Sequence, residues 1–433
     1  MAKPIGPSCN LECTYCYYLD TAHLYPEQSD FRMTDDTLET YIKQYIEANP
    51  GPDVPFAWQG GEPTLLGVEF FHKVLEYQDA HAPAGTRIHN SIQTNGTRLD
   101  DEWGRFLAEN NFLVGISIDG PRELHNTFRH TRSGAGTFDA VMDGLATLQA
   151  HDVEHNVLCV LNAINSHHPL EVYHFFNNQG LEWMQFIPLV EPLETSEPNT
   201  DERATPGSDD PPTYPIPPWV TERDGDVERV DPTYHETLRR ARTCPVTDRS
   251  VDPEVYGEFM CTILDEWVRN DIGEVSVRLF DQCLEQLLTG QPSLCVFAET
   301  CGRALAIEHN GDVFSCDHYV EPAFHRGTIH DAHLATLVDT PEQRHFGEAK
   351  RETLPDRCRT CDVRDICNGG CPKHRLASTP SGEAGLNYLC AGYRRVFTYA
   401  QPYLGVIEET LADGLGLAYA ADAVETLDEM ATS

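Results

Sequence analysis

From the N-terminus to about residue 190, short apolar runs alternate with segments of helical period. The runs predict strands at 3–7, 54–59 (VPFAWQ), 88–94 (IHNSIQT), 112–118 (FLVGISI), 155–161 (HNVLCVL) and 183–189 (WMQFIPL). Between them, apolar residues recurring at helical spacing predict helices near 34–48, 67–81, 99–110, 137–150 and 168–179. Strand and helix alternating in this way read as parallel βα units, with strands buried on both faces. An open doubly wound sheet and a curved partial barrel both satisfy the pattern. The polar residues decide between them. QGGEP (59–63), TNG (94–96) and SIDG (117–120) each follow a predicted strand directly, and a loop with three cysteines follows the first. Chemistry gathered at the C-terminal ends of successive parallel strands is the barrel pattern, so the expected fold is α/β, a partial (β/α)6 barrel over 1–190.

The pattern then changes. Residues 191–250 are rich in Pro, Asp and Glu without apolar period, and read as a solvated, partly disordered insertion. A helical connector, with a helix near 254–270, fills 251–294. Residues 295–395 are dense in cysteine with little regular apolar patterning, so ligand bonds are expected to hold them more than a large core does. An acidic helical tail, 396–433, completes the chain.

Charge narrows the setting. Of 433 residues, 69 are Asp or Glu against 31 Lys or Arg, a net charge of −38. A chain this negative repels phosphate and shows no basic patch, which argues against nucleic acid as a partner. Only five residues are lysine: Lys3, Lys43, Lys73, Lys350 and Lys373. Acid excess with scarce lysine fits a halophilic protein, although an ordinary acidic cytosolic protein has a similar composition. No segment approaches the roughly 18 apolar residues of a membrane span, and the start, MAKPIGPSCN, lacks the apolar region of a signal peptide. The expectation is a cytoplasmic protein with no membrane partner, in which 15 cysteines mean metal or redox chemistry more than disulfides.

Cys9, Cys13 and Cys16 are spaced C-x3-C-x2-C. Three thiolates can hold a cubane iron–sulfur cluster and leave one iron open, whereas redox-only clusters take four. A zinc site or a chance group of thiols is the alternative, but zinc wants a fourth Cys or His, and only His23 is near. Eight more cysteines lie further on: Cys295, Cys301 and Cys316, then Cys358, Cys361, Cys367, Cys371 and Cys390. They complete two four-thiolate sites, which spacing alone leaves open to zinc ribbons. Cys159, Cys244, Cys261 and Cys283 are left over and read as packed thiols.

The three-cysteine loop after a first parallel strand, followed by aromatics and GGEP, resembles the radical S-adenosylmethionine (radical SAM) enzymes. The later cysteines resemble a SPASM domain with two auxiliary [4Fe–4S] clusters. AKPIGPSCNLECTYCYYL, WQGGEPTL, SIDGPRELHN and CDHYV read like the anaerobic sulfatase-maturating enzymes within that family. The resemblance covers nearly the whole chain apart from 191–250 and the tail. It departs in the short run of eight residues before Cys9 and in the polar length of the insertion.

The resemblance implies three [4Fe–4S] clusters and S-adenosylmethionine. Cys9, Cys13 and Cys16 would hold the cofactor's cluster; Cys295, Cys301, Cys316 and Cys371 one auxiliary cluster; Cys358, Cys361, Cys367 and Cys390 the other. It makes Gly60, Gly61 and Glu62 the backbone that binds the methionyl amino group, has Ser117 and Arg129 hold ribose and carboxylate, and sets Val190 on adenine. Tyr15, inside the cysteine loop, is a further cofactor contact. The implied reaction converts a Cys or Ser side chain of an unfolded or nascent sulfatase to Cα-formylglycine through a 5′-deoxyadenosyl radical, fed by a low-potential donor of ferredoxin or flavodoxin type. The implied base is Asp317, directly after Cys316. Gln59 and Asn95, at strand ends, are candidates for positioning the peptide. Taken singly, GGEP also reads as a plain turn, Arg129 as a surface arginine and Asp317 as a turn aspartate. A maturase of the same type acting on another peptide is the alternative function.

Overall fold

The computed structural model describes residues 1–28, 30–193, 246–416, 419–421 and 424. Strands β1 (Ala2–Lys3), β2 (Asp53–Trp58), β3 (Arg87–Thr94), β4 (Leu113–Ser117), β5 (His155–Leu161) and β6 (Trp183–Pro188) lie side by side, all parallel. Helices α1 (Asp35–Ala48), α2 (Val68–His81), α3 (Asp101–Glu109), α4 (Arg122–His125), α5 (Phe138–Ala150) and α6 (Pro169–Asn178) connect them. Local chemistry starts these helices where the sequence reading put them. Thr34 caps α1 by accepting from the Thr37 N–H, and the Asp100 carboxylate caps α3 through the N–H groups of Glu102 and Trp103. In β4, Val114, Gly115 and Ile116 are all buried, as befits a strand covered on both faces.

The first predicted strand, 3–7, is shorter than expected. After Lys3 the chain turns, closed by a 3.0 Å hydrogen bond from the Gly6 N–H to the Lys3 carbonyl. Pro4 has no N–H for a ladder, and Gly6 takes φ +50°, a left-handed conformation that few other residues adopt.

The sheet does not end at β1. Strand β8 (Ala306–Glu308) pairs with it in parallel, and β9 (Asp312–Phe314) and β10 (His325–Thr328) continue antiparallel. At the opposite edge β7 (Ser276–Val277) joins β6, giving ten strands in the order β10-β9-β8-β1-β2-β3-β4-β5-β6-β7. A separate hairpin pairs β11 (Ala377–Ser378) with β12 (Ala384–Leu386). The cysteine-rich part is therefore built onto the barrel's own sheet.

Its core differs from expectation as well. Phe297, Leu305, Ile307, Val313, Tyr393 and Phe397 are buried in the same continuous apolar cluster as Phe56, Trp58 and Ile116 of the barrel. The boundary expected after 395 falls inside one helix, Cys390–Ala412, which buries Val396, Phe397, Ala400, Leu404 and Ile407. That helix crosses α7 (Pro253–Asn270) at Gly392, where a Cβ would lie 2.3 Å from the Pro253 carbonyl oxygen. Helix α8 (Arg278–Thr289) follows β7.

Most of the predicted insertion, 194–245, lies outside the described residues, as do Cys244 and the end of the tail. The two ends of the insertion meet. Pro192 bridges Val246, and Arg249 pairs with Glu191 at 2.8 Å. No helix among the described residues is long and apolar enough to cross a membrane.

Candidate active site at the strand ends

The loop after β1 presents Cys9, Cys13 and Cys16, each half-buried. Its path is set by backbone contacts with the segment after α4. The N–H groups of Glu12 and Thr14 donate to the His130 and Phe128 carbonyls at 2.8 and 3.1 Å, Leu11 bridges Thr131, and Arg132 donates to the Cys9 carbonyl at 2.9 Å. Burial pushes the Cys9 thiol up to about 12 and the Cys13 thiol up to about 11, with the neighbouring thiols adding to each shift. Such thiols give up their protons to a metal, whose charge replaces the missing solvation.

The other strand ends close around this loop. Gly61 and Glu62 donate their N–H groups to the Gly6 and Ser8 carbonyls at 2.8 and 2.9 Å. The approach is so close that a Cβ on Gly61 would sit 2.0 Å from the Ser8 oxygen. The Glu62 carboxylate is fully buried and accepts from the Thr64 N–H (3.0 Å) and hydroxyl (2.6 Å), the Thr94 hydroxyl (2.7 Å) and the Asn95 N–H (2.7 Å). This side chain ties the end of β2 to the end of β3 and is 0% exposed. What the stretch can offer a methionyl ammonium is backbone carbonyl oxygen.

Asn95, a candidate for positioning the peptide, is hydrogen-bonded to the cysteine loop. Its amide donates to Asn10 Oδ1 at 3.0 Å and to Cys9 Sγ at 3.8 Å, while its oxygen accepts from Thr97. Gln59, half-buried, accepts from Lys3 Nζ at 3.4 Å. Ser117 accepts from Gln93 at 3.0 Å, and Val190 is buried after β6.

Arg129 is not a surface arginine. Its guanidinium makes a two-point pair with the buried Asp119 carboxylate (2.9 and 3.2 Å) and lies over the Tyr15 ring, 5.6 Å from its centre. The Tyr15 hydroxyl donates to the same carboxylate at 2.5 Å, and the Val160 N–H of β5 at 3.0 Å. Asp119 was missed in the sequence because SIDG reads locally as a turn. It joins the ends of β4 and β5 to the cysteine loop and answers the charge of Arg129. Asp119→Ala leaves a buried guanidinium uncompensated and is expected to lower stability by about 3–5 kcal/mol. Denaturant unfolding checks this; a loss below about 1 kcal/mol would mean that the pair behaves like an exposed one.

The later cysteines fall into two groups. Cys371 lies within electrostatic reach of Cys295, Cys301 and Cys316. Cys390 stands in the same relation to Cys358 and Cys367, and Cys361 to Cys390. Cys358, Cys361, Cys367 and Cys390 line one cavity together with Gly369, Asn387 and Arg394. Sets of thiols facing one another fit iron–sulfur ligation in donor chemistry. Burial would raise the Cys371 thiol, but His318, 3.7 Å from its sulfur, holds it below its usual value. Cys159, Cys261 and Cys283 are buried in the apolar core.

Asp317, next to Cys316, begins the turn after β9 and faces the first cysteine loop. Its carboxylate is 3.5 Å from the hydroxyl of Tyr17, the residue after Cys16, and its side chain is 27% exposed. Burial would raise its pKa, yet the charges of His318 and Lys3 prevail and keep it below the ordinary carboxylate value. The register of β8 on β1 brings this about. Lys3 pairs with Glu308, and the Glu308 carboxylate accepts from the Tyr18 hydroxyl at 2.7 Å while Lys3 Nζ lies 4.2 Å from the centre of the Tyr18 ring.

Comparison with known proteins gives this geometry its class. A profile of the Radical SAM superfamily matches residues 4–176, and one for SPASM, an iron–sulfur cluster-binding domain, matches 295–362. The chain is 39% identical to the serine-type anaerobic sulfatase-maturating enzyme of Bacteroides thetaiotaomicron, over 95% of this chain and 91% of that one. It is 32% identical to the cysteine-type enzyme of Clostridium perfringens, over 93% and 96%. Among solved structures, native anSMEcpe with bound AdoMet and Cp18Cys peptide superposes with a TM-score of 0.76 at 31% identity, covering 94% of this chain and 98% of that one. The chain belongs to the anaerobic sulfatase-maturating enzymes, a family of radical SAM enzymes.

Proposed function

We propose that this chain oxidises a Cys or Ser side chain of an unfolded sulfatase polypeptide to Cα-formylglycine. The observation that carries the reading is the position of Asp317: a carboxylate adjoining an auxiliary thiol set and reaching Tyr17, one residue beyond the three-cysteine loop. The oxidation must remove a hydrogen atom from Cβ, a proton from sulfur or oxygen, and one further electron; a Ser side chain then is the aldehyde, whereas a Cys side chain is a thioaldehyde that water converts to the aldehyde with release of hydrogen sulfide. When bound, the clusters and S-adenosylmethionine supply the 5′-deoxyadenosyl radical that takes the hydrogen atom, and a sink for the electron.

The chain's own residues do the rest. Cys9, Cys13 and Cys16 hold the first cluster; Cys295, Cys301, Cys316 and Cys371 the second; Cys358, Cys361, Cys367 and Cys390 the third. Carbonyls of the Gly60–Glu62 stretch receive the methionyl ammonium, Ser117 the ribose, and Val190 the adenine. Asp119 and Tyr15 orient Arg129, which would hold the cofactor's polar groups. Asp317 takes the substrate proton as general base. Anaerobic incubation with a sulfatase peptide, S-adenosylmethionine and a reductant tests the reading through the mass of the peptide. An unchanged mass, with the cofactor cleaved, would send the search to another peptide class.

The reading places the protein in the cytoplasm, with a ferredoxin- or flavodoxin-type donor and a surface adapted to salt. Its net charge of −38 repels itself across a Debye length of about 30 Å at 0.01 M, against about 3 Å at 1 M. The melting temperature is expected to fall as KCl is lowered from molar to 10 mM. An unchanged value would remove the adaptation to salt and leave the catalytic reading in place.

A further inference from the structure

Lys350 is one of five lysines in this acidic chain, and it is buried, with 1% of its surface exposed. It sits on the helix Pro341–Glu352, which lies directly on the loop carrying Cys295 and Cys301. The Cys301 N–H donates to the Gly347 carbonyl of that helix at 3.2 Å, and a Cβ on Gly347 would sit 2.4 Å from the Cys301 oxygen. One turn on, Lys350 Nζ reaches the carbonyls of Cys295 (2.8 Å), Val296 (2.9 Å) and Ala298. A carbonyl only accepts, so three of them around one amine call for three N–H donors, which only the ammonium form carries. Lys350 is therefore a buried positive charge wrapped in backbone oxygen. The thiols of Cys301, Cys295 and Cys371 lie within its electrostatic reach.

An ammonium taken out of water is costly unless an anion answers it. A cubane held by four thiolates is net negative and becomes more so by one charge on reduction. A fixed cation beside it favours the reduced state. We propose that Lys350 is a positioning residue that sets the reduction potential of the auxiliary cluster held by Cys295, Cys301, Cys316 and Cys371, making that cluster a better electron acceptor. The proposal rests on the cluster assignment of the preceding subsection.

The test is a redox titration of the reconstituted holoenzyme followed by electron paramagnetic resonance, with iron counted in the same samples. Lys350→Gln keeps N–H donors for the carbonyls but loses the charge; Lys350→Met loses both. In Lys350→Gln, iron is expected to stay at the wild-type level. The midpoint of one cluster should become more negative by at least a tenfold change in its reduction equilibrium, 59 mV for one electron, while the other midpoints stay in place. An unchanged midpoint with full iron overturns the proposal. Loss of about four irons in Lys350→Gln as well as in Lys350→Met also overturns it, since the residue would then only brace the loop. If Cys295, Cys301 and Cys316 are together replaced by Ala and the iron stays complete, the cluster assignment itself fails, and the proposal with it.

Discussion

Replacing Cys9, Cys13 and Cys16 together by Ala is expected to lower the iron content from about twelve to about eight atoms per chain and to abolish formation of 5′-deoxyadenosine. The effect should be confined to one cluster, because backbone bonds to neighbouring loops hold the loop's path besides the contacts of the Cys9 sulfur. Backbone bonds from Glu12 and Thr14 to the 128–130 segment hold it, and Gly61 and Glu62 hold its first half. The two later thiol sets lie in other loops, anchored by β9 and by the helix Cys390–Ala412. Iron analysis and the cofactor assay check the result on anaerobically reconstituted protein. Retention of twelve irons, or continued cleavage of the cofactor, would refute the assignment of this loop.

The barrel was legible because its strands carry their burial in their composition. VPFAWQ and HNVLCVL are apolar at most positions, and alternate residues of each are buried, Val54, Phe56 and Trp58 in one and Val157, Cys159 and Leu161 in the other. Five predicted strands and five predicted helices of the barrel differ from the observed ones by at most two residues at either end. The exception, β1, fails where Pro4 and Gly6 break the run, so that composition alone overstated its length. Beyond residue 295 the strands have two to four residues, too short to show a period. The place of β8, and through it of β9 and β10, is fixed by pairing with β1, some 300 residues earlier in the chain, which no local pattern announces.

The site was legible in its donors and illegible in its connections. Cysteine spacing exposed the ligand candidates, since thiols this densely spaced are the pattern of metal-binding loops. Asp119, Glu62 and Lys350 act through partners in other strand-end loops or helices. Each is a buried polar group whose partners are distant in sequence or are plain backbone, and only the fold reveals that each is satisfied. One signal was available for Lys350: in a chain that nearly excludes lysine, a lysine kept between two cysteine-rich segments stands out. The terminal helix was legible in principle, since Tyr393, Val396, Phe397, Ala400 and Leu404 follow helical spacing. Reading residues 396–433 as an acidic helical tail caught the helix but not its start at Cys390 or its packing into the core.

Asp317→Asn is expected to separate the proton step from the radical step. The amide keeps the shape of the carboxylate but does not accept a proton at ordinary pH. Formylglycine production should therefore fall by about 10²- to 10⁴-fold, the usual contribution of a general base. Cleavage of the cofactor to 5′-deoxyadenosine should persist, because it depends on the loop of Cys9, Cys13 and Cys16 and uses no base. The loss should appear in turnover more than in peptide affinity. Asp317 is tied to the first loop through the Tyr17 hydroxyl, a contact that an asparagine oxygen can still accept, so the two halves of the site should stay in register. Iron content must be read in the same preparation, since Cys316 is the preceding residue. Full formylglycine yield would remove Asp317 from catalysis. Loss of auxiliary iron would make it a support for the metal loop and send the search for the base to other polar side chains facing the Tyr17 hydroxyl, with His318, whose ring lies 5.9 Å from that of Tyr17, the first to replace.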